Sequence, residues 1–256
     1  MKKRLKKFMF RLMVTVLFLF GLLVTSMLSP ILLYANKTTV GNYSIYHNKQ
    51  LNNNFLQQLN QSNNIIKSSE LYDPKLKIDV CLKDGSSYPG LVTFVMGKDL
   101  ISSFYNKIIL TGDTVNYSDN YIQLDGHKWN FLQMLAHAQV HCLEFNKYGL
   151  WHSNPIAKHP AWKWEGYPEY IAKQNPDQVN LQDNIEKLLQ AESTPNNGWM
   201  KFADSAETLI SFDEYRLLIK YCIEIKKMTF GALMKDTTGE NTVRQQMIEW
   251  YNRQRN

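Results

Sequence analysis

The sequence has only three cysteines among its 256 residues. Cys81, Cys142 and Cys222 are too few and too scattered for a disulfide framework, which excludes the small, disulfide-stapled class of secreted domains. Internal repeats and a glycine-rich phosphate loop are also missing. The composition, 44% apolar and 20% charged, is that of an ordinary globular protein with one well-buried domain.

The sequence has no excess of basic charge outside its first eleven residues. The formal net charge is +6, and it equals the charge of the basic residues in that segment. These are Lys2, Lys3, Arg4, Lys6, Lys7 and Arg11. Without them the 29 basic residues fall to 23, which matches the 23 acidic residues. Binding to DNA or RNA needs a clustered basic face on the domain itself, so we expect no nucleic-acid partner.

A charge-free run rich in Leu, Val, Phe and Met follows the basic residues and extends from Leu12 to Asn36. As a helix it would exceed the roughly 30 Å hydrocarbon core of a bilayer. The sequence therefore predicts a cytoplasmic basic tail (1–11), a transmembrane signal-anchor helix (12–36) and one domain (37–256). Pro30 is expected to mark the point where the helix emerges from the bilayer.

A cleaved signal peptide is the alternative interpretation of this run, with Tyr34 and Ala35 near the end of a cleavage site. Signal peptides usually have apolar regions of about 7 to 15 residues, well short of this one, which favours an uncleaved anchor. In both cases the basic cluster places the amino terminus in the cytoplasm and the domain on the other side. We expect a single-pass protein of the cell membrane, with the lipid bilayer as its partner and an extracytoplasmic domain.

The pattern within the domain predicts strands first and helices afterwards. Short apolar runs predict strands, among them Leu91–Met96 and Lys107–Leu110. From His127 the pattern becomes helical and continues to Tyr148, where Gly149 is a plausible stop. Later helices are expected after Glu165, over Asp213–Lys227 and over Thr242–Arg253. This order predicts an α+β fold, in which a small antiparallel or mixed sheet packs against helices.

Two histidines lie one helical turn apart in this predicted helix. His137 and His141 fall on one narrow polar stripe, which suits zinc or a similar ion. Glu165 begins a second helical segment and is a candidate third ligand, and Glu169, one turn later, is placed to hydrogen-bond a ligand histidine. Alternatively, the two histidines form a hydrogen-bonded pair in the core without a metal.

The stretch from Leu135 to Tyr170 resembles the active-site region of the gluzincin, or peptidase MA-like, zinc metallopeptidases. In that family His-Glu-x-x-His precedes a second helix that carries Glu-Gly-x-x-Glu-Tyr or a relative of it. The resemblance implies a zincin-like fold and zinc ligands at His137, His141 and Glu165, with Glu169 supporting them. It also implies a downstream oxyanion-stabilising side chain, for which Tyr215 and Tyr221 are candidates by position.

The glutamate that serves the family as general base is missing, because Ala138 follows the first histidine. Glu144 lies on the metal stripe and is a candidate proton acceptor, although it is two turns from His137. The sequence leaves three hypotheses. The chain is a peptide hydrolase with impaired base catalysis, a pseudoenzyme that binds zinc and a peptide or protein ligand, or a metal-free structural or binding module of the cell envelope.

Overall fold

The computed structural model of the protein describes residues 2–195 and 197–255. Met1, Asn196 and Asn256 lie outside the described residues, and with them the outer ends of the predicted tail and domain.

The first helix, α1, spans Lys2–Leu28, so it starts inside the predicted tail and ends eight residues before Asn36. Proline fixes its own φ and lacks an N–H, and here Pro30 opens a separate 3-10 turn, Pro30–Leu33. Within α1, Lys6–Leu28 is long and apolar enough to cross a membrane.

The rest of the described chain mixes short strands with helices. The strands are β1 (Asn36–Val40), β2 (Tyr43–His47), β3 (Ile78–Cys81), β4 (Ile101–Phe104), β5 (Lys107–Leu110), β6 (Thr114–Asn116), β7 (Tyr121–Leu124), β8 (His127–Asn130), β9 (Trp199–Lys201) and β10 (Glu207–Leu209). The helices are α2 (Asn53–Ile66), α3 (Tyr88–Met96), α4 (Phe131–Tyr148), α5 (Ala161–Trp164), α6 (Gly166–Ala172), α7 (Leu181–Ser193), α8 (Ile210–Lys220), α9 (Phe230–Lys235) and α10 (Glu240–Arg255). The α+β class is therefore confirmed.

A five-stranded mixed sheet is the centre of the first half of the chain, in the order β1-β2-β3-β5-β4. Strands β2, β3 and β5 are parallel, while β1 and β4 run antiparallel to their neighbours at the two edges. Alternate side chains of a strand point to opposite faces, so the sheet has two apolar faces. One face packs on α2 and α4, and the other packs on α3 and the Pro30–Leu33 turn.

Helix α4 lies between this sheet and a second core made of α6, α7, α8 and α10. Its residues Leu135 and Cys142 pack toward the sheet, whereas Val140 and Leu143 pack toward the helices. A helix with apolar partners on two sides is buried nearly all round. Polar side chains on the remaining stripe of α4 are therefore enclosed as well.

The predicted strand Leu91–Met96 is wrong, because these residues form most of α3. Pro89 in the first turn and Gly97 at the end, with a positive φ of 95°, are helix start and stop signals that outweigh the strand-favouring Val and Phe side chains. Tyr88 and Val92, four residues apart, bury one face of the helix on the sheet.

The predicted start of the histidine-bearing helix at His127 is also wrong. Asp125 and Gly126 both have positive φ, 49° and 90°, which makes a tight hairpin turn between β7 and β8. Helix α4 begins only at Phe131. Asn130 is its N-cap residue, and the Asn130 side chain accepts a hydrogen bond from the backbone N–H of Gln133 at 3.1 Å. Its end at Tyr148, followed by Gly149 at φ 72°, agrees with the prediction.

The predicted helix Asp213–Lys227 is observed as α8 followed by a π-helical turn, Tyr221–Ile225. The last helix, α10, extends the predicted Thr242–Arg253 by two residues at each end. Helix α7 and the small β9-β10 hairpin were not predicted. Helices α7 and α10 pack against α8, and the β9-β10 hairpin packs against β8 and α8, so that Trp199 and Leu209 of the hairpin line the site described next.

Candidate metal centre

Three side chains from two segments converge at the end of the polar stripe of α4. Nε2 of His137 lies 3.0 Å from Nε2 of His141. The nearer carboxylate oxygen of Glu165 lies 3.2 Å from the His141 atom and 3.4 Å from the His137 atom. In a tetrahedral zinc site with ligand bonds of about 2.0–2.1 Å, ligand atoms lie roughly 3.3 Å apart. The predicted convergence of these three groups is confirmed, at distances that suit one small cation.

The backbone around Glu165 explains how the third group reaches the pair. Glu165 sits between α5 and α6, immediately before the first helical residue, which is where Pro168 in the first turn requires it to be. Gly166 lets α6 approach α8 closely. A Cβ at this position would lie 2.7 Å from the carbonyl oxygen of Tyr215. The small residue therefore sets the depth of α6 and, with it, the position of the carboxylate.

Each histidine contacts a further carboxylate through its other ring nitrogen. Nδ1 of His141 lies 2.7 Å from Glu144, in hydrogen-bond geometry. Nδ1 of His137 lies 2.9 Å from Glu169, an ion-pair distance at which the nitrogen does not reach good hydrogen-bond geometry. Carboxylates at Nδ1 favour the proton on that nitrogen and leave the Nε2 lone pairs free. Two such lone pairs and a carboxylate oxygen then face one point, which is electrostatically unfavourable unless a proton or a metal ion lies between them.

Glu144 is therefore not placed as the proton acceptor that the sequence suggested. It is fully buried behind His141, on the ring nitrogen opposite the converging atoms. Burial raises its pKa to about 7, although the neighbouring His141 acts in the other direction. Its position fits orientation of His141. Glu169, which the sequence predicts to hydrogen-bond a ligand histidine, lies 2.9 Å from Nδ1 of His137 as an ion pair.

A chain of buried charges continues from Glu169 into the helical core. The ammonium of Lys173 lies 2.7 Å from Glu169 and 3.8 Å from Asp213, which in turn accepts a 2.8 Å hydrogen bond from Arg216. Burial alone would raise the pKa of Glu169, but Lys173 and His137 lower it to about 2. The carboxylate behind His137 is thus ionised and held by an extended network, as supporting partners of metal ligands are.

The electrostatics of the cluster favour a bound cation. Burial would raise the pKa of Glu165, but the two histidines hold it far below its usual range, so the group is an anion. Burial would lower the pKa of His141, yet Glu165 and Glu144 raise it to about 10. The imidazole therefore holds a positive charge strongly, whether that charge is a proton or a metal ion. Protons and metal compete for the same nitrogen atoms.

A cavity of about 610 Å³ opens in front of the three converging groups. His137 and His141 are 6% and 8% exposed, while Glu165 is half-buried, so the cluster is open on one side. The ring of Trp164 stacks on His141 with centroids 6.0 Å apart and lines the same cavity. Three protein ligands with an open fourth side is the arrangement of catalytic rather than purely structural zinc sites.

The walls of the cavity come from segments that sequence reasoning did not connect with the histidines. Four consecutive residues, Leu100–Ser103, line it along the edge strand β4. His127 and Trp199 form an aromatic wall, with parallel rings 3.6 Å apart, and Trp129 meets Trp199 edge-on. No local motif marks these residues, because the pairing of β4 with β5 and of β8 with β7, and the packing of Trp199 on His127, bring them to the site.

Asp99, also unpredicted, places a carboxyl group in the same cavity. Its side chain is exposed to the cavity, and its backbone leads directly into β4. The enclosing walls desolvate the carboxyl and raise its pKa, against the opposing influence of a backbone hydrogen bond and of His137. A carboxyl of raised pKa facing a cluster of metal-ligand type is a candidate proton acceptor.

The two tyrosines proposed as oxyanion-stabilising groups do not line the cavity. Among the described residues around the cavity, α8 contributes Phe212 rather than Tyr215. Tyr221 is buried in the helical core, where its ring packs against Trp250. Ala138, at the position of the missing base, is 1% exposed and packs toward the sheet. The structure therefore brings neither tyrosine to the lining of the cavity.

No family model, curated protein or solved structure matches the chain. The resemblance to gluzincins consequently depends on the motif residues of Leu135–Tyr170 alone.

Proposed function

We propose that this chain is a membrane-anchored, gluzincin-like domain that binds zinc through His137, His141 and Glu165 and recognises an extended peptide beside the metal. Helix α1 is the anchor, and its basic end places the domain outside the cytoplasm. The proposal rests chiefly on one observation, the convergence of three ligand atoms within 3.4 Å of one another, beside an open cavity.

Zinc is preferred over harder cations because of the donor set. Two imidazoles and one carboxylate are typical zinc ligands, whereas magnesium and calcium take oxygen ligands. The carboxylates behind both histidines agree with this choice, since ligand histidines nearly always have such partners. A zinc ion held here would supply Lewis-acid chemistry on the open side of the cluster.

A peptide ligand fits the edge of the five-stranded sheet. Strand β4 pairs only with β5 among the described strands, so its other edge has free backbone N–H and C=O groups. Both odd and even residues of Leu100–Ser103 line the cavity, which means that the strand presents its edge rather than one face. An extended chain could add to this edge through main-chain hydrogen bonds, with its side chains beside the Trp199 wall.

The primary test is metal binding by the purified full-length chain in detergent. We expect one zinc per chain in elemental analysis and loss of zinc in His137→Ala and His141→Ala. His152→Ala is the matched control, because this loop histidine is exposed and its ring has no part in the cluster. Equal zinc content in all four proteins would refute the proposed site.

Peptide hydrolysis is a second candidate function, and Asp99 is the observation that favours it. In this mechanism Asp99 accepts the proton that a glutamate at position 138 would accept in a gluzincin. Zinc-loaded protein would cleave a quenched fluorescent peptide library, Asp99→Asn would lower the rate by about 10²–10⁴, and Asp125→Asn would not. Asp125 is a suitable control because it lines the same cavity but pairs with Lys98 at 3.1 Å. Zinc binding without cleavage by the native chain identifies a peptide-binding pseudoenzyme.

A further inference from the structure

Helix α3 exposes an apolar surface that nothing in the described chain covers. Its buried side packs on the sheet, while its last three residues point outward, with Phe94 85% exposed. The Pro30–Leu33 turn adds two more exposed apolar side chains. These five residues, called here the α3 surface, are Ile31, Leu32, Phe94, Val95 and Met96.

The α3 surface is fixed to the end of the membrane helix by specific contacts. The Tyr88 hydroxyl, in the first turn of α3, donates a 2.7 Å hydrogen bond to the carbonyl of Met27 in the last turn of α1. The Ser86 hydroxyl donates a 2.6 Å bond to the carbonyl of Leu33. The side chains of Met27 and Leu33 also pack against the cluster that contains Tyr88. The helix, the turn and α3 therefore form one packed unit.

We infer that the α3 surface lies in the interfacial layer of the same bilayer that α1 enters. The apolar surface of α1 continues without a charged residue from Leu12 through Ile31 and Leu32 to the start of the domain. Helix α3 contains no charged residue, and Lys98, 63% exposed and paired with Asp125 at 3.1 Å, follows its C-cap residue Gly97. Apolar side chains with a basic residue at their border are the composition of segments that lie in membrane interfaces.

A lipid surface fits this patch better than a second protein does, because the patch adjoins α1. A protein partner on α3 would have to lie against the same bilayer, whereas lipid is already present at the end of α1. Clustered exposed apolar side chains of this kind mark interaction sites on soluble domains. The inference rests on the anchoring role of α1 proposed above and does not depend on the zinc site.

The proposed contact also orients the metal cavity. Met96 belongs to the α3 surface and lines the cavity, as do Lys98 and Asp99 just beyond it. Docking of α3 therefore places one rim of the cavity at the bilayer surface. The ligand class that follows is a peptide segment close to the membrane, such as the part of a membrane protein adjoining its own span.

Site-directed spin labelling of the full-length chain in phosphatidylcholine and phosphatidylglycerol vesicles tests this contact. Single cysteines are introduced as Phe94→Cys and Ile31→Cys, two reporters that guard against a label disturbing α3. The native Cys81, Cys142 and Cys222 are fully buried and should not react. Leu17→Cys reports the anchor, and Val179→Cys reports an exposed apolar position on the helical half of the domain.

The readout is the collision rate of each label with oxygen, which concentrates in lipid, relative to a water-soluble nickel chelate. We expect the ratio at Phe94 and Ile31 to rise well above that at Val179 and toward that at Leu17. Ratios at both reporters equal to that at Val179, with lipid values at Leu17, would overturn the inference while leaving the anchor intact. Water-like values at Leu17 would overturn the anchor and the inference together. The zinc site is tested separately by zinc content, and none of these outcomes bears on it.

Discussion

Helices α4 and α3 pack on opposite faces of the five-stranded sheet, and their side chains require opposite surroundings. Helix α4 encloses a polar stripe whose charged groups have partners within the chain, except at the point where three ligand atoms meet. Helix α3 exposes apolar side chains that have no cover within the described chain. We therefore propose that each region is completed from outside, by a cation in the first case and by lipid in the second.

The difference lies in what makes each kind of exposed or enclosed group informative about an external partner. Buried polar groups are costly unless they are paired, so an enclosed cluster with converging nitrogen and oxygen atoms indicates a place for a positive charge, either a proton or a metal ion. Exposed apolar groups cost little singly, so only their clustering and their position beside α1 are informative. Substitutions in the first region should therefore have large effects, and substitutions in the second should have small effects on stability. The predictions below test that contrast.

The largest effect is expected from removal of a ligand side chain. His141→Ala deletes a group that contacts both Glu165 and His137 at 3.2 Å or less, so no neighbouring residue can restore the geometry. Loss of a supporting partner typically costs about 10–100-fold in metal affinity, and loss of a ligand should exceed that. Competition with a chromogenic zinc chelator measures the affinity.

The matched control for this prediction is His152→Ala, which should bind zinc as the native chain does. Unchanged affinity in His141→Ala would mean that the two imidazoles form a metal-free pair in the core. The contrast between the two faces of the sheet would then lose its first half.

A smaller loss is expected when the carboxylates behind the histidines are neutralised. Glu169→Gln and Glu144→Gln keep the shape of the side chain but remove the charge that orients each ring, and Glu169→Gln also leaves Lys173 without its 2.7 Å partner. We expect about 10–100-fold weaker zinc binding in each. The exposed Glu186→Gln on α7 provides the control, and an effect as small as its own would show that these carboxylates stabilise the fold rather than the ligands.

The sequence alone could predict those parts of the site whose residues lie close together along the chain. His137 and His141 are separated by one turn of one helix, so the 3.6-residue period was sufficient to place them together. Glu169 could be placed behind a histidine for the same local reason, one turn after Glu165. Glu144 was assigned to the correct stripe, but its side chain lies on the far nitrogen of His141, which helical spacing alone does not show.

Features that depend on tertiary pairing could not be predicted in this way. Asp99 and Trp199 reach the cavity because β4 joins the sheet edge and because β9 packs near the β7-β8 hairpin, and neither event has a local signal. The hairpin turn at Asp125-Gly126 did have one, since this dipeptide favours positive φ. This turn signal moves the expected start of the helix from His127 to Phe131. Leu91–Met96 has the apolar composition of a strand but forms a helix for a similar reason. The signals that bound this helix, Pro89 and Gly97, lie outside the apolar run.

A moderate loss of stability is expected when α6 is pushed away from α8. In Gly166→Ala the new methyl group would lie 2.7 Å from the Tyr215 carbonyl oxygen and 2.8 Å from a side-chain carbon of Ile219. A backbone atom cannot yield as a flexible side chain can, so overpacking should cost about 1–3 kcal/mol of unfolding free energy. Because Glu165 directly precedes α6 and Glu169 lies within it, zinc affinity should fall as well.

Denaturant unfolding of the full-length chain in detergent, with and without zinc, measures both effects. Gly231→Ala is the control, because a Cβ at that position on α9 meets nothing within 4 Å. Equal stability of the two alanine variants would contradict the close approach of α6 and α8. Reduced stability with unchanged zinc affinity would separate the depth of α6 from the geometry of the cluster.

The smallest effect on stability is expected at the α3 surface, and it separates the two regions most directly. Phe94→Ala removes an aromatic ring that is 85% exposed, so the unfolding free energy in detergent should change by no more than about 0.5 kcal/mol. Phe131→Ala, which removes the same side chain from a fully buried position at the start of α4, should cost about 3–5 kcal/mol. Denaturant unfolding in the same detergent compares the two. A loss of unfolding free energy in Phe94→Ala close to that in Phe131→Ala would mean that the Phe94 ring packs against protein. Lipid contact would then not be needed to explain the apolar side chains at the end of α3. A negligible loss in detergent, together with a lipid-like environment at this position in vesicles, would show that the ring contributes to membrane contact and not to folding.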